Sequence, residues 1–366
     1  MQAATSPGPD KGEPVMMRIA RHLPGFDNSR KTGPLHPITM EHRMKLKSAL
    51  AAALLPAMAI MLAPAASSAS APMAAQRQAP GFYRMHVGRF EVTALLDGTH
   101  MFPVDQLVLG AKPGETDKLL AQRYLASPVE GMINAFLVNT GDRLILIDTG
   151  AGDLYGKESG GLSEALRASG YSPEQVDDIF VTHLHEDHVG GLVKDGRMVF
   201  PNAIVHVSKR DYDFWTDDKN IAGMSALLKP FFPAVQSVLR PYSAIGHVVP
   251  FDVTEADLIP GLRPVAAPGH TPGHTTYLLH DGKEAMLFWG DTVHVAGVQF
   301  DDPHVAIKYD WKVPAAIESR NTLYAEAVKN GWWIAAAHIS FPGIGHIAAK
   351  GANAYTWVPA NYTLNR

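Results

Sequence analysis

Residues 182–191 read THLHEDHVGG, and the six positions from His183 to His188 hold three histidines and two carboxylates. Neutral imidazole and carboxylate are ligand types that suit zinc and other borderline metals. His183 and His185, two apart, suit extended or turn backbone, whereas Asp187 and His188 arrive on the next turn and face another direction. One cation cannot comfortably take all four donors from so short a loop. Two cations side by side can, with His183 and His185 on one and Asp187 and His188 on the other. Such a pair needs further ligands from distant segments, so the fold must bring other strand ends to this point. Gly190-Gly191 behind the cluster allows close backbone packing.

Two plainer readings compete. A polar surface loop can be rich in histidine by chance, and a structural metal site would be closed, four-coordinate and richer in thiolate. The chain has no cysteine, which removes thiolate sites, disulfides and cysteine nucleophiles together. An all-His/Asp cluster fits an open hydrolytic site better.

The flanking sequence supplies strand ends. The stretch 132–152 reads as a hairpin turning at Asn139-Thr140-Gly141-Asp142, with Leu144 to Ile147 apolar enough to be buried on both faces. IFVT (179–182) reads as another buried strand that delivers His183 at its C-terminal end. The stretch 82–102 is strand-like with a turn expected at Asp97-Gly98, and 203–209 is a further strand. Residues 113–125 have helical spacing, 211–217 read as a loop or helix start, and a helix is expected near 223–239. Later apolar runs stop at His270 and His274 in APGHTPGHT, at Asp291 in FWGDT, and at His338 in AAAHIS, with His346 eight residues on. Strands alternating with helices, plus hairpins, give a mixed α/β class.

Residues 40–71 have a basic start (Arg43, Lys45, Lys47), an apolar run over 49–63 and an A-x-A pattern at Ala69-Ser70-Ala71. This reads as a secretory signal peptide. A membrane anchor is the rival, but a run interrupted by Pro56 falls short of the roughly 20 residues that span a bilayer. Residues 1–39 are expected to be a non-native or disordered extension, with translation starting at Met40 or Met44, and 72–84 a linker. The remaining 295 residues carry 24 basic and 32 acidic side chains, a net of −8. A periplasmic or secreted, acidic protein is expected, with no nucleic acid partner and no stable membrane anchor after cleavage.

H-x-H-x-D-H, the later PGHTPGH, a Gly-Asp after a strand, a late histidine and the early Asp148-Thr149-Gly150 occur in an order that resembles the metallo-β-lactamase superfamily. The resemblance covers residues 85–350. It implies an αβ/βα four-layer sandwich of two mixed β-sheets flanked by helices over 85–366, with metals at one edge. Carried over by position, it makes His183, His185 and His270 ligands of a first metal and Asp187, His188 and His338 ligands of a second. Asp291 would bridge them, and Asp148 would brace the ligand loop by hydrogen bonding. His274 would then be structural, His338 is favoured over His346 by its strand-end position, and Asp187 and Asp291 serve the chemistry.

NAFLVNTGDRLILIDTGAG, GDTVHVAGVQFDDP and HISFPGIGHI look most like methyl parathion hydrolase and its exported relatives, a group of phosphotriesterases, lactonases and arylesterases. The expectation that follows is a hydrolase with two divalent metal ions, zinc foremost, whose shared hydroxide attacks a lactone, aryl ester or organophosphate triester. A small-molecule ester-like substrate calls for an apolar pocket. Tyr155, Trp215 and Phe232 are its candidate walls, and Tyr155 stands where those relatives carry Phe. Dimers are common among relatives, so a homodimer is the expected partner state. His294 is a candidate to brace Asp291. His206 reads as packed, and His86, His100, His247, His280 and His304 as solvent-facing. The runner-up is a mononuclear iron oxidoreductase of the same fold, resembling persulfide dioxygenases. A non-catalytic metal-binding or partner-binding protein is a third reading, which the intact ligand set opposes.

Overall fold

Alternation along each strand decides the architecture. In the computed structural model, which describes residues 78–364, seven strands lie side by side in chain order. They are β1 (Phe82–Val87), β2 (Phe90–Phe102), β3 (Val129–Asn139), β4 (Leu144–Ile147), β5 (Asp178–Phe180), β6 (Ile204–Ser208) and β7 (Val248–Phe251). β1 to β4 pair antiparallel and β4 to β7 parallel. A second sheet of six follows, again in chain order. It holds β8 (Leu262–Ala266), β9 (Thr275–Asp281), β10 (Glu284–Phe288), β11 (Trp333–Ala335), β12 (Ile344–Ala349) and β13 (Tyr355–Pro359). Its β10/β11 pair is parallel and the rest antiparallel.

Successive side chains point to opposite faces of a sheet. Phe136, Val138, Ile145 and Ile147 therefore meet Tyr277, Leu279, Met286 and Phe288 in the interior between the sheets. Their neighbours Ala135, Leu137, Leu144 and Leu146 face outward, under α1 (Leu162–Ala168) and α3 (Phe231–Ala244). Between these two in sequence lies α2 (Lys209–Thr216). On the far side Leu278, Leu287 and Ile334 pack beneath α4 (Val313–Asn330). Helix, sheet, sheet, helix is the expected four-layer sandwich. It explains why Leu144–Ile147 is buried on both faces. Pro314 in the first turn of α4 and Gly331 at φ 64° after its last residue set the limits of that helix.

Several boundaries differ from expectation. The turn between the first two strands lies at Gly88-Arg89, and β2 runs straight past Asp97 with a register shift between Leu96 and Gly98. The Asp97 carboxylate turns inward instead, accepting the N–H groups of Ala151, Gly160 and Leu162 at 2.9, 3.2 and 3.1 Å. The linker expected over 72–84 gives way to β1 at Phe82, and the helix expected from 223 starts at Phe231. The N-terminal extension and the signal peptide lie outside the described residues. No helix among the described residues is long and apolar enough to cross a membrane.

Candidate metal centre

β5 runs on extended through Val181, whose N–H donates to His206 O at 2.9 Å, so His183 leaves from the C-terminal edge of the parallel strands. Beside it β4 is followed at once by Asp148, which adopts φ 60°. Aspartate tolerates this left-handed conformation better than most residues. The carboxylate there accepts from Thr182 N at 2.7 Å, from Thr182 Oγ1 at 2.8 Å and from His188 Nδ1 at 2.8 Å. Thr182 Oγ1, its proton committed to Asp148, accepts from His183 Nδ1 at 3.1 Å. His270 Nδ1 donates to Asp310 Oδ1 at 3.0 Å, and His338 Nδ1 to Met132 O at 2.8 Å. Each partner fixes the proton on Nδ1, and four imidazoles from three separate segments turn bare Nε2 atoms to one place.

Asp291 stands at their centre. Its Oδ2 lies 3.1 Å from His270 Nε2 and 3.6 Å from His183 Nε2. Its Oδ1 lies 2.9 Å from His188 Nε2 and 3.0 Å from His338 Nε2. Asp187 Oδ2 completes the second side, 3.4 Å from His338 Nε2 and 3.8 Å from His188 Nε2. His185 Nδ1 completes the first, 3.0 Å from His270 Nε2. Donor atoms of His183, His185, His270 and Asp291 lie within 4.8 Å of one another, and so do those of Asp187, His188 and His338. Donors about 2 Å from one tetrahedral ion stand about 3.4 Å apart, the spacing seen here.

The chemistry of the set tests whether cations fit. His183 Nε2, His188 Nε2 and Asp291 Oδ1 are buried without a hydrogen-bond partner. Buried polar atoms are almost always satisfied, and three orphans converging on one point are what a pair of divalent cations would satisfy. Burial holds His183 and His185 well below the ordinary imidazole value, helped by charge on His188 and His270 respectively. Burial alone would push Asp291 up, but His188, His338 and His183 outweigh it and keep the carboxyl well below its usual range. Against burial, the Asp291 carboxylate raises His188, His270 and His338 above the ordinary imidazole value, so a cation there would displace their protons and leave the neutral imidazoles and ionised carboxylate that coordination needs. The residues fit.

Supporting contacts hold the ligands in place. His274 donates Nδ1–H to Ala267 O at 3.0 Å and accepts the Asp291 N–H on Nε2 at 3.1 Å, so it braces Asp291 from behind. His294 Nε2 stands 3.0 Å from Asp291 Oδ2, with a side chain 5% exposed. His346 is remote from the cluster, bonded to Trp332 O at 2.9 Å. The fully buried Asp211 accepts from Leu184 N, Thr271 Oγ1 and Gly273 N at 2.9, 2.9 and 2.6 Å, tying the two histidine loops together. Arg320 on α4, also buried, donates to the carbonyls of Thr292, Pro303 and Val305 and pins the loop behind Asp291.

Above the cluster opens a cleft whose empty space, about 520 Å³ including its open mouth, is lined by Phe102, Met132, Ile133, Tyr155, Phe231 and Tyr309 together with His100 and residues of the cluster. Tyr155 is a wall, as expected. Trp215 and Phe232 are not. Trp215 is 1% exposed and stands behind His185 with ring centres 5.2 Å apart, and Phe232 is 0% exposed in the helix-covered core. The reason is helical phase: one residue turns the side chain about 100°, so Phe231 at the start of α3 meets the cavity and His185 while Phe232 points inward. His100 is exposed yet sits at the cavity wall against Tyr155. His86 and His304 are exposed, while His247 and His280 are half-buried on Ala203 O and Asp257. His206 is packed on Phe180 and bonded to Asp178. Sequence reasoning missed Asp97, Asp211, Phe231, Tyr309, Asp310 and Arg320. None carries a spacing signal, since each acts across a long sequence separation.

Residues 128–338 match the Metallo-beta-lactamase superfamily. Among solved structures, the chain is similar to AbOPH, a hydrolase in the beta-lactamase superfamily, at 39% identity and TM-score 0.74 over 78% of this chain and 100% of that one. It is similar also to AidC, a dizinc quorum-quenching lactonase in complex with a product, N-hexanoyl-L-homoserine, at 27% identity and TM-score 0.72 over 78% and 99%. The N-acyl homoserine lactonase AttM of Azorhizobium caulinodans is 31% identical over 134 residues, 36% of this chain and 46% of that protein. The chain spans about half the length of the curated relatives it matches. With the profile matched over more than half of its residues and the sandwich and its strand-end histidines in place, the chain belongs to the metallo-beta-lactamase superfamily.

Proposed function

We propose that the chain is an exported hydrolase with two divalent metal ions, zinc foremost, acting on lactones first and on aryl esters or organophosphate triesters as alternatives. The observation that carries this reading is Asp291 facing His183 and His270 with one oxygen and His188 and His338 with the other. His183, His185 and His270 would hold one cation, Asp187, His188 and His338 the other, and Asp291 both. When bound, the cations supply Lewis acidity toward a carbonyl or phosphoryl oxygen and a water that ionises near neutral pH.

The chain's own residues do the rest. Asp148, Asp310 and the Met132 carbonyl keep the ligand imidazoles in one tautomer. His294 and His274 hold Asp291 at its side chain and at its backbone, so the carboxylate serves as a fixed bridge rather than a free base. Phe102, Ile133 and Phe231 give the cavity apolar walls that exclude water around the acyl group. The lactonase preference draws support from AidC and AttM. The iron oxidoreductase alternative needs one metal and leaves the second donor group of Asp187, His188 and His338 without a role.

Zinc-loaded protein assayed against an acyl-homoserine lactone, dihydrocoumarin, phenyl acetate and methyl parathion tests the reading. Fastest turnover of a lactone is expected, lost in His183→Ala. One iron per chain with oxygen consumption and no hydrolysis would overturn it.

A further inference from the structure

Two phenols in the cavity find no bonding partner among the described residues. Tyr155 lies in the turn at Gly152–Glu158 after β4, and Tyr309 in the loop before α4, and both line the space above the ligand cluster. Among the described residues neither hydroxyl has a hydrogen-bond partner. Tyr83, Tyr171, Tyr242, Tyr277 and Tyr324 each donate to a named oxygen.

The rings themselves are anchored. Tyr155 rests on His100 with centroids 4.9 Å apart, and Tyr309 stacks on Phe231 at 6.3 Å and tilts against Phe102 at 6.0 Å. Burial first, then the carboxylate of Asp187, pushes both phenols up from their ordinary value, so each stays a donor at neutral pH. The rest of the wall that is not ligand is mostly hydrocarbon and aromatic. A substrate that fills this cavity takes both hydroxyls out of solvent. Leaving such donors unpaired is costly, and a site built to bond a polar group rejects analogues that lack it.

We propose that Tyr155 and Tyr309 are a donor pair that sets specificity, receiving a second carbonyl-type acceptor of the substrate besides the group being cleaved. The amide of an N-acyl lactone has that chemistry. A substrate whose remaining surface is alkyl or aryl does not. This assignment rests on the hydrolase reading above and deepens it.

The test compares zinc-loaded wild type with Tyr155→Phe, Tyr309→Phe and the double variant on N-hexanoyl-homoserine lactone and on γ-decalactone, which has no amide. Calorimetry of ring-opened N-hexanoyl-homoserine gives a readout independent of turnover. In each single variant the ratio of kcat/KM, amide-bearing over amide-free, is expected to fall about five- to tenfold through KM, with product binding weakened by a similar factor. An unchanged ratio with unchanged product binding overturns the tyrosine assignment and leaves the hydrolase reading standing. Wild type that binds the product but cleaves neither lactone, with the variants binding more weakly, overturns the lactone preference of the proposed function and upholds the tyrosine pair. Neither cleavage nor product binding by the wild type overturns the lactone preference and the tyrosine pair together.

Discussion

Asp291 owes its position to contacts on every side: His274 on its N–H, His294 on Oδ2, and ligand imidazoles on both oxygens. Asp148 acts in the same way from behind the ligands, since its carboxylate holds both Thr182 and His188. Asp148→Ala is therefore expected to weaken metal affinity about 10- to 100-fold without unfolding the protein, measured by competition with a chromophoric chelator. Unaltered affinity would show that the brace is dispensable. Asp97 acts away from the metals. Burial, against the opposing pull of its backbone N–H partners, raises its carboxyl from 3.8 to about 6. The folded protein then holds this proton more tightly than the unfolded chain does. The group's contribution to stability is greatest below its unfolded value and is lost as pH rises through about 6. Urea melts of wild type and Asp97→Asn should show the wild type losing ground to the variant between pH 4.5 and 7. A gap moving the other way would contradict the burial-dominated carboxyl.

At the scale of elements, the loop from β5 to the ligands works only because backbones touch. A Cβ on Gly191 would stand 1.9 Å from Thr149 O, and one on Gly190 2.0 Å from Ala151 O. Gly191→Ala should destabilise by about 1–3 kcal/mol or more, read as a lowered Tm; an unchanged Tm would mean that the loops have room to part. The α3 start gives a paired prediction. Phe232→Ala should cost about 3–5 kcal/mol while preserving the order of substrate preference, because its side chain is wholly in the core. Phe231→Ala should raise KM as well as lower stability, because that ring faces the cavity while packing in the same core cluster. Helical phase separates the two, and phase was not legible while the helix was expected to start near 223. The strands were easier. Leu144–Ile147 and the hairpin before it are written in continuous apolar runs and turn residues. Asp97-Gly98 misled because an Asp-Gly pair signals a turn, and only tertiary contacts with Ala151, Gly160 and Leu162 reveal a buried carboxylate in a bent strand.

On the scale of the whole molecule, two sheets built from successive halves of the chain meet face to face, and the site draws on both. His183 to His188 follow the parallel strands of the first sheet, while His270, Asp291 and His338 come from loops of the second. The seven side chains that gather at the cluster were legible because local motifs carry them. The residues that orient the ligands and line the cavity were not, since Asp310, Asp211 and Tyr309 meet their partners only after the sheets have closed. The central claim is a pair of cations divided by Asp291. It is tested most directly by a crystal structure of zinc-loaded protein with anomalous diffraction recorded at the zinc edge. Two peaks are predicted, one among His183, His185 and His270 and one among Asp187, His188 and His338, with an Asp291 oxygen on each. A single peak, or none, with Asp291 turned out of the cluster would contradict it.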